Sequence, residues 1–167
     1  IFIFSKHFII PKQKGKLMML NKYIIFPFLF YILFYLQISN ADEISELTEK
    51  ALKGDGDAQY YLGKHYYKGE IVEQNFAKAF YWIKQSALGG VDDKDKAFKV
   101  EDAKGDADAQ FRLGKMYALG EGIDGSYALA ELWLEKSANS GSTDKQYDLA
   151  EYYISGEYLP KDDSKAF

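Results

Sequence analysis

At 167 residues the chain is long enough for one domain of ordinary size, and it contains no cysteine, which excludes a disulfide framework and any thiolate metal site. All 25 acidic residues lie from Asp42 onward, together with 16 of the 21 basic ones, so that part carries a net charge of −9. Such a balance argues against a nucleic-acid backbone or an anionic membrane surface as the main partner.

The chain starts at Ile1, and Met18 or Met19 is a sensible start, so residues 1–18 are read as an upstream or non-native extension. Residues 19–41 have the pattern of a signal peptide. Lys22 supplies the positive start, Tyr23 to Leu36 is apolar apart from Pro27, and Ser39-Asn40-Ala41 puts small residues where a signal peptidase reads. Cleavage is expected between Ala41 and Asp42, giving an exported protein, periplasmic or secreted. The apolar run is shorter than the ~20 residues a spanning helix needs. No stable membrane span is therefore expected once the signal is cleaved; an uncleaved anchor is the alternative. No cysteine follows the run, which excludes a bacterial lipoprotein anchor.

Residues 42–54 are expected to form a lone capping helix, with Leu47 and Ala51 at helical spacing. Three similar segments follow. Ala58-Gln59-Tyr60-Tyr61-Leu62-Gly63-Lys64-His65-Tyr66-Tyr67-Lys68-Gly69 aligns with Ala109-Gln110-Phe111-Arg112-Leu113-Gly114-Lys115-Met116-Tyr117-Ala118-Leu119-Gly120. Both align with Lys145-Gln146-Tyr147-Asp148-Leu149-Ala150-Glu151-Tyr152-Tyr153-Ile154-Ser155-Gly156. A second block, Ala77-Lys78-Ala79-Phe80-Tyr81-Trp82, is matched by Ala128-Leu129-Ala130-Glu131-Leu132-Trp133. Each runs on to a small pair, Ser86-Ala87 or Ser137-Ala138, and a stop at Gly90 or Gly141. The repeats are residues 55–90, 106–141 and 142–167, the last incomplete.

Each repeat reads as a helix–turn–helix unit. Ala58, Leu62 and Tyr66 form one stripe, as do Ala109, Leu113 and Tyr117. Gly63 and Gly114 cost about 1 kcal/mol of helix propensity each, which predicts close approach of a neighbouring helix there. Gly69 and Gly120 are expected C-caps. Asp55, Asp57, Asp106 and Asp108 are placed to cap or support helix N-termini. In the second helices Ala79, Trp82, Ser86 and Ala87 make the expected buried stripe, with Ala130 and Trp133 as counterparts.

The pattern A-Q-x-x-L-G-x-x-Y-x-x-G, followed by K-A-x-x-W and a small pair before glycine, resembles the Sel-1-like repeat, a tetratricopeptide-like helix pair. The resemblance covers about Asp55 to Phe167. It implies an all-α fold, a right-handed α–α superhelix of antiparallel helix pairs, whose concave face binds proteins or peptides. The core positions are then Ala58, Leu62, Gly63, Tyr66, Ala79, Trp82, Ala109, Leu113, Gly114, Tyr117, Ala130 and Trp133. First helices line the concave side, which makes Tyr60, Lys64, Tyr67, Phe111, Lys115 and Tyr147 candidate contact residues; packing between repeats is the competing role for the tyrosines. Ile71 and Tyr158 depart from a glycine that the family usually has and Gly122 keeps. Lys145 and Ala150 depart from the usual alanine and glycine.

Gln110 and Gln146 are 36 apart, whereas Gln59 and Gln110 are 51 apart, leaving an insertion over Val91 to Gly105. Its charged run, Asp92-Asp93-Lys94-Asp95-Lys96, is expected to lead into a short helix from Lys96 on. The chain also stops before a third second helix, which suggests a fragment of a longer array.

Catalytic chemistry finds little support. His65 has no cysteine or second histidine beside it in the part after the signal. Ser142-Thr143-Asp144-Lys145 matches S-x-x-K of penicillin-recognising enzymes, but S-D-N and K-T-G are absent. Ser142 also suits a helix N-cap. Asp55-x-Asp57 and Asp106-x-Asp108 do not continue into a calcium loop. No cofactor is expected. The leading expectation is an exported protein-interaction module with no nucleic-acid partner. A β-lactamase-like hydrolase and a non-functional repeat fragment are the alternatives.

Overall fold

A computed structural model describes residues 27–33, 41–90 and 99–166. Contacts divide the chain into two units, Ile1–Asn40 and Ala41–Phe167. In the first, residues 27–33 are helical and expose Phe28, Phe30, Tyr31 and Leu33. The rest of the expected signal segment, and the extension before it, lie outside the described residues. No helix among the described residues is long and apolar enough to cross a membrane.

The second unit is all helical among its described residues. A helix over 41–52 (α1) is followed by α2 (Gly56–Lys68), α3 (Phe76–Leu88), a 3-10 turn (Val100–Asp102), α4 (Ala107–Leu119), α5 (Tyr127–Ala138) and α6 (Thr143–Ser155). Ala41 and Asp42, the expected cleavage pair, both lie in α1 and are exposed. Asp55 and Asp106 start α2 and α4 with side-chain caps to the Ala58 and Ala109 amides, each 2.9 Å. Asn75 and Ser126 do the same for α3 and α5. Ser142 occupies the N-cap of α6, but its hydroxyl makes no capping bond. Asp57 and Asp108 sit within the first turn, where they favour the dipole without capping.

α2 and α3 form one antiparallel pair, α4 and α5 the next. The close approach expected at the mid-helix glycines is present. A Cβ on Gly63 would lie 2.6 Å from Ile83 Cγ1, and one on Gly114 would lie 2.7 Å from Leu134 Cγ. Ile83 and Leu134 are fully buried and are the true centre of each pair. The sequence points instead to the tryptophans. Trp133 is 3% exposed and belongs to the main core, whereas Trp82 is only half-buried beside Ala51, Ala58 and Leu62. Tyr66 is likewise half-buried, while its counterparts Tyr117 and Tyr153 are buried.

The recurring glutamine has one job in all three copies. Gln59, Gln110 and Gln146 donate from Nε2 to the carbonyls of Ala51, Ala87 and Ala138, at 3.0, 3.4 and 3.3 Å. Each carbonyl belongs to the last turn of the preceding helix, beyond the regular i+4 ladder; those of Ala51 and Ala138 also accept from Gly54 N and Gly141 N. In this register α1 stands where a second helix stands in later units, with Leu47 and Ala51 in the places of Ile83 and Ala87. Its outward positions carry Glu43, Glu46 and Lys50, with Glu46 and Lys50 paired at 2.8 Å, so this face is polar as a cap requires.

The turn between the helices of a pair also repeats. The amides of Asn75, Ser126 and Asp162 donate to the carbonyls of Tyr66, Tyr117 and Tyr153, at 2.8, 2.8 and 2.9 Å. Ile71 and Tyr158 fit this turn without glycine, since no non-glycine residue among those described has a positive φ. Gly122, at φ +79, needs its glycine also because a Cβ would meet the Phe76 carbonyl oxygen.

The insertion returns to its own starting point. Lys104 N donates to Leu88 O at 3.1 Å, and Gly89 and Gly105 touch backbone to backbone. Its second half packs inward through Val100 and Ala103, both buried, and Lys136 Nζ donates to Glu101 O at 2.6 Å. The expected short helix from Lys96 lies mostly outside the described residues; Val100–Asp102 is a single 3-10 turn. Removing residues 91–105 would join Ala87-Leu88-Gly89-Gly90 to Asp106-Ala107-Asp108-Ala109-Gln110. That closely copies Ala51-Leu52-Lys53-Gly54-Asp55-Gly56-Asp57-Ala58-Gln59, which already makes the same junction. The deletion is therefore expected to keep one cooperative urea transition, losing only about 2 kcal/mol from Val100 and Ala103 burial. A chain that fails to fold would show that the insertion is integral.

Candidate protein-binding face

The candidate residues lie on the first helices: Tyr60, Lys64 and Tyr67 on α2, Phe111 and Lys115 on α4, Tyr147 on α6. Equivalent positions stack from unit to unit, so Tyr67 and Phe111 meet the next first helix. Lys64 Nζ stands 5.3 Å from the ring centres of both Tyr60 and Tyr61. The Arg112 guanidinium lies 4.9 Å over the Tyr67 ring, whose hydroxyl donates to Glu121 Oε1 at 3.2 Å. Phe111 stacks on Tyr152 with centres 5.9 Å apart. Lys115 Nζ lies 5.6 Å over Tyr152 and 4.2 Å over Tyr158.

These contacts form three groups along one face, which the charge of Arg112 links into a row. The charge of Arg112 reaches Tyr60, Tyr67 and Tyr158. Burial pushes the phenols of Tyr60, Tyr67, Tyr152 and Tyr158 above the ordinary tyrosine value. For Tyr67 the Glu121 carboxylate adds to the effect, since it accepts the phenolic proton's hydrogen bond. The rings therefore stay neutral at physiological pH and present apolar faces with hydroxyl rims.

Five of the six candidates join the row, which gives the tyrosines both a packing and a surface role. Tyr147 stands apart at 69% exposure. Its counterparts Tyr60 and Phe111 are half-buried because another first helix follows them, and α6 is the last helix described. The sequence misses Arg112, Glu121, Tyr152 and Tyr158. Arg112 had a signal, being the chain's single arginine. Tyr158 had one too, as the departure from glycine.

The S-x-x-K residues do not converge on a nucleophile site. Lys145 Nζ pairs with Asp108 Oδ1 across the junction of the second and third units. Lys145 replaces the usual alanine, so the exchange trades a buried methyl for an ion pair.

Comparison with known proteins agrees with this architecture. A family model described as Sel1 repeat matches residues 56–91, 107–142 and 146–167. A solved Sel1 repeat protein from Oxalobacter formigenes is 32% identical with a TM-score of 0.53, over 74% of this chain and 82% of that one. A protective antigen present in uropathogenic Escherichia coli strains, displaying an SLR fold, is 29% identical with a TM-score of 0.56. That match covers 72% of this chain and 22% of the antigen. A curated relative, the ERAD-associated E3 ubiquitin-protein ligase component HRD3B of Arabidopsis thaliana, is 27% identical over 124 residues, 72% of this chain. The match spans only 17% of that plant protein's length. With its family model matched over more than half its length and its helix pairs closed by the same repeated contacts, the chain belongs to the Sel1 repeat family.

Proposed function

We propose that the chain is an exported protein-interaction module that holds a segment of a partner protein along the face of its first helices. Sel1 repeat proteins generally mediate protein–protein interaction. The observation that carries the reading here is the connected row of Tyr60, Lys64, Tyr67, Arg112, Phe111, Lys115, Tyr152 and Tyr158. Rigid aromatic rings with cations held over them are the anchors that protein interfaces favour. Export rests on Lys22, the apolar run and the small residues before Asp42. The plant relative's name, that of a ligase component, fits a part played within an assembly. The hydrolase alternative gains nothing, because Lys145 is committed to Asp108.

The test is cross-linking in the native cell followed by mass spectrometry, with the wild-type chain and a Tyr67→Ala/Lys115→Ala chain of equal melting behaviour. The wild type should capture a partner that the double variant loses by about tenfold or more, the effect of a truncated anchor pair. A variant that captures every partner as well as the wild type would remove this face from consideration.

A further inference from the structure

Most cations elsewhere in the unit have a carboxylate or carbonyl partner, and Lys78 lies over the Tyr66 ring. Lys50, Lys53, Lys68, Lys145, Lys161 and Lys165 all pair with carboxylates. Lys64, Arg112 and Lys115 are half-buried on the shared face, and among the described residues none of them is in an ion pair. Each is held over tyrosine rings instead. Four of the acids nearby are already engaged, and Asp148 acts on the Tyr152 ring from its own helix. Asp106 caps α4, Asp108 pairs with Lys145, and Glu121 accepts from Tyr67. Glu157 is bonded to Tyr158. In a region with 25 acidic and 16 basic residues, this face gathers three cations that lie over rings and not on carboxylates.

A ring face attracts a cation but satisfies none of its N–H donors; Lys115 also meets the Tyr152 hydroxyl, which leaves its other donors. Guanidinium carries five donors and ammonium three, and carboxylate oxygens are their strongest partners in a protein. We infer that the first-helix face selects an acidic peptide segment of the partner, whose carboxylates bond to Lys64, Arg112 and Lys115 while its apolar groups lie on the tyrosines. This rests on the proposed binding face and specifies its ligand. The overall negative charge does not forbid it. At physiological salt the screening length is about 8 Å, so the three local cations dominate at contact. A single-stranded nucleic acid also favours rings and cations. Its continuous phosphates would have to pass Asp106, Asp108 and Glu121, whereas a peptide places its charges singly.

The test is selection of a random displayed-peptide library on the full chain. Asp and Glu should be enriched at least about twofold over the input, and a selected peptide should bind about tenfold more weakly after Lys64→Gln/Arg112→Gln/Lys115→Gln, as lost charge-assisted hydrogen bonds require. The same positions changed to glutamate should turn the selection toward Lys and Arg. Enrichment of neutral or basic peptides on the wild type would overturn the inference; if these were still lost in Tyr60→Ala/Tyr67→Ala, the binding face itself would stand. No enrichment of any sequence would overturn both. Polyuridine displacing the selected peptides would overturn the inference in favour of a nucleic-acid ligand.

Discussion

Trp133→Ala is expected to cost about 3–5 kcal/mol of folding stability, and Trp82→Ala distinctly less. The two tryptophans occupy the same place in the repeat, so a sequence reading assigns them one value. Their surroundings differ. Trp133 is 3% exposed and sits in the main core, which runs from α3 through α6 to Leu159. Truncating it leaves a cavity closed on all sides, which neighbouring side chains cannot fill by small moves. Trp82 stands in the first unit, packed against Ala51 of α1 and Ala58 and Leu62 of α2, and its indole meets Tyr81 edge-on at 4.9 Å while part of the ring faces solvent. Water can enter the space a truncation leaves there, so the cavity contribution is small. Against a total stability of roughly 5–15 kcal/mol for a domain, the first change removes a large share. Urea denaturation of both variants measures the difference. Equal losses would mean that the first unit is as tightly closed as the second.

The sequence made the repeat legible because each recurring residue performs the same act in each copy. The glutamine reaches the preceding helix end, the leucine packs inward, buried in the first two copies and half-buried at Leu149, and the tyrosine carbonyl takes the next cap's amide. The closing glycines Gly69, Gly120 and Gly156 sit at φ +69 to +76. Positions whose side chains change between copies were harder to find. Phe80 is buried against Tyr117, but its counterpart is Glu131, which bonds Tyr153 and Lys165 instead. Ile83 and Leu134 share a role but not an identity, and the neighbouring tryptophan draws attention from both. The face was legible as far as it follows the helix period, which places Tyr60, Lys64, Phe111 and Lys115. Arg112 over Tyr67 and Tyr158 under Lys115 arise between units, and the spacing within one unit carries no signal for them.

Gly105→Ala should be severe, costing about 3 kcal/mol, near the top of the usual range for overpacking. A Cβ on Gly105 would clash with the Ser86 carbonyl oxygen and would lie 2.5 Å from Ala87 C and O. All three are backbone atoms at the end of α3, so no side-chain rotation relieves the clash. Gly56→Ala is the matched control. Gly56 opens α2 with nothing within 4 Å of its added Cβ, and alanine there should be neutral or stabilising by up to ~1 kcal/mol. The difference between the two has a specific structural readout. Gly105 N–Cα backbone sits against α3, its carbonyl accepts from Gln110 Nε2 at 3.0 Å, and the adjacent Lys104 amide holds Leu88 O. Moving it therefore loosens the join between the first and second helix pairs rather than either pair. In a repeat array, stability is shared between units and the interfaces that couple them. The variant should consequently unfold in two steps, with α2 and α3 separating from α4 to α6, where the wild type unfolds in one. A Gly105→Ala chain with the wild-type midpoint and a single transition would show that the base of the insertion yields freely, and that the two pairs are coupled by the α3–α4 contact alone.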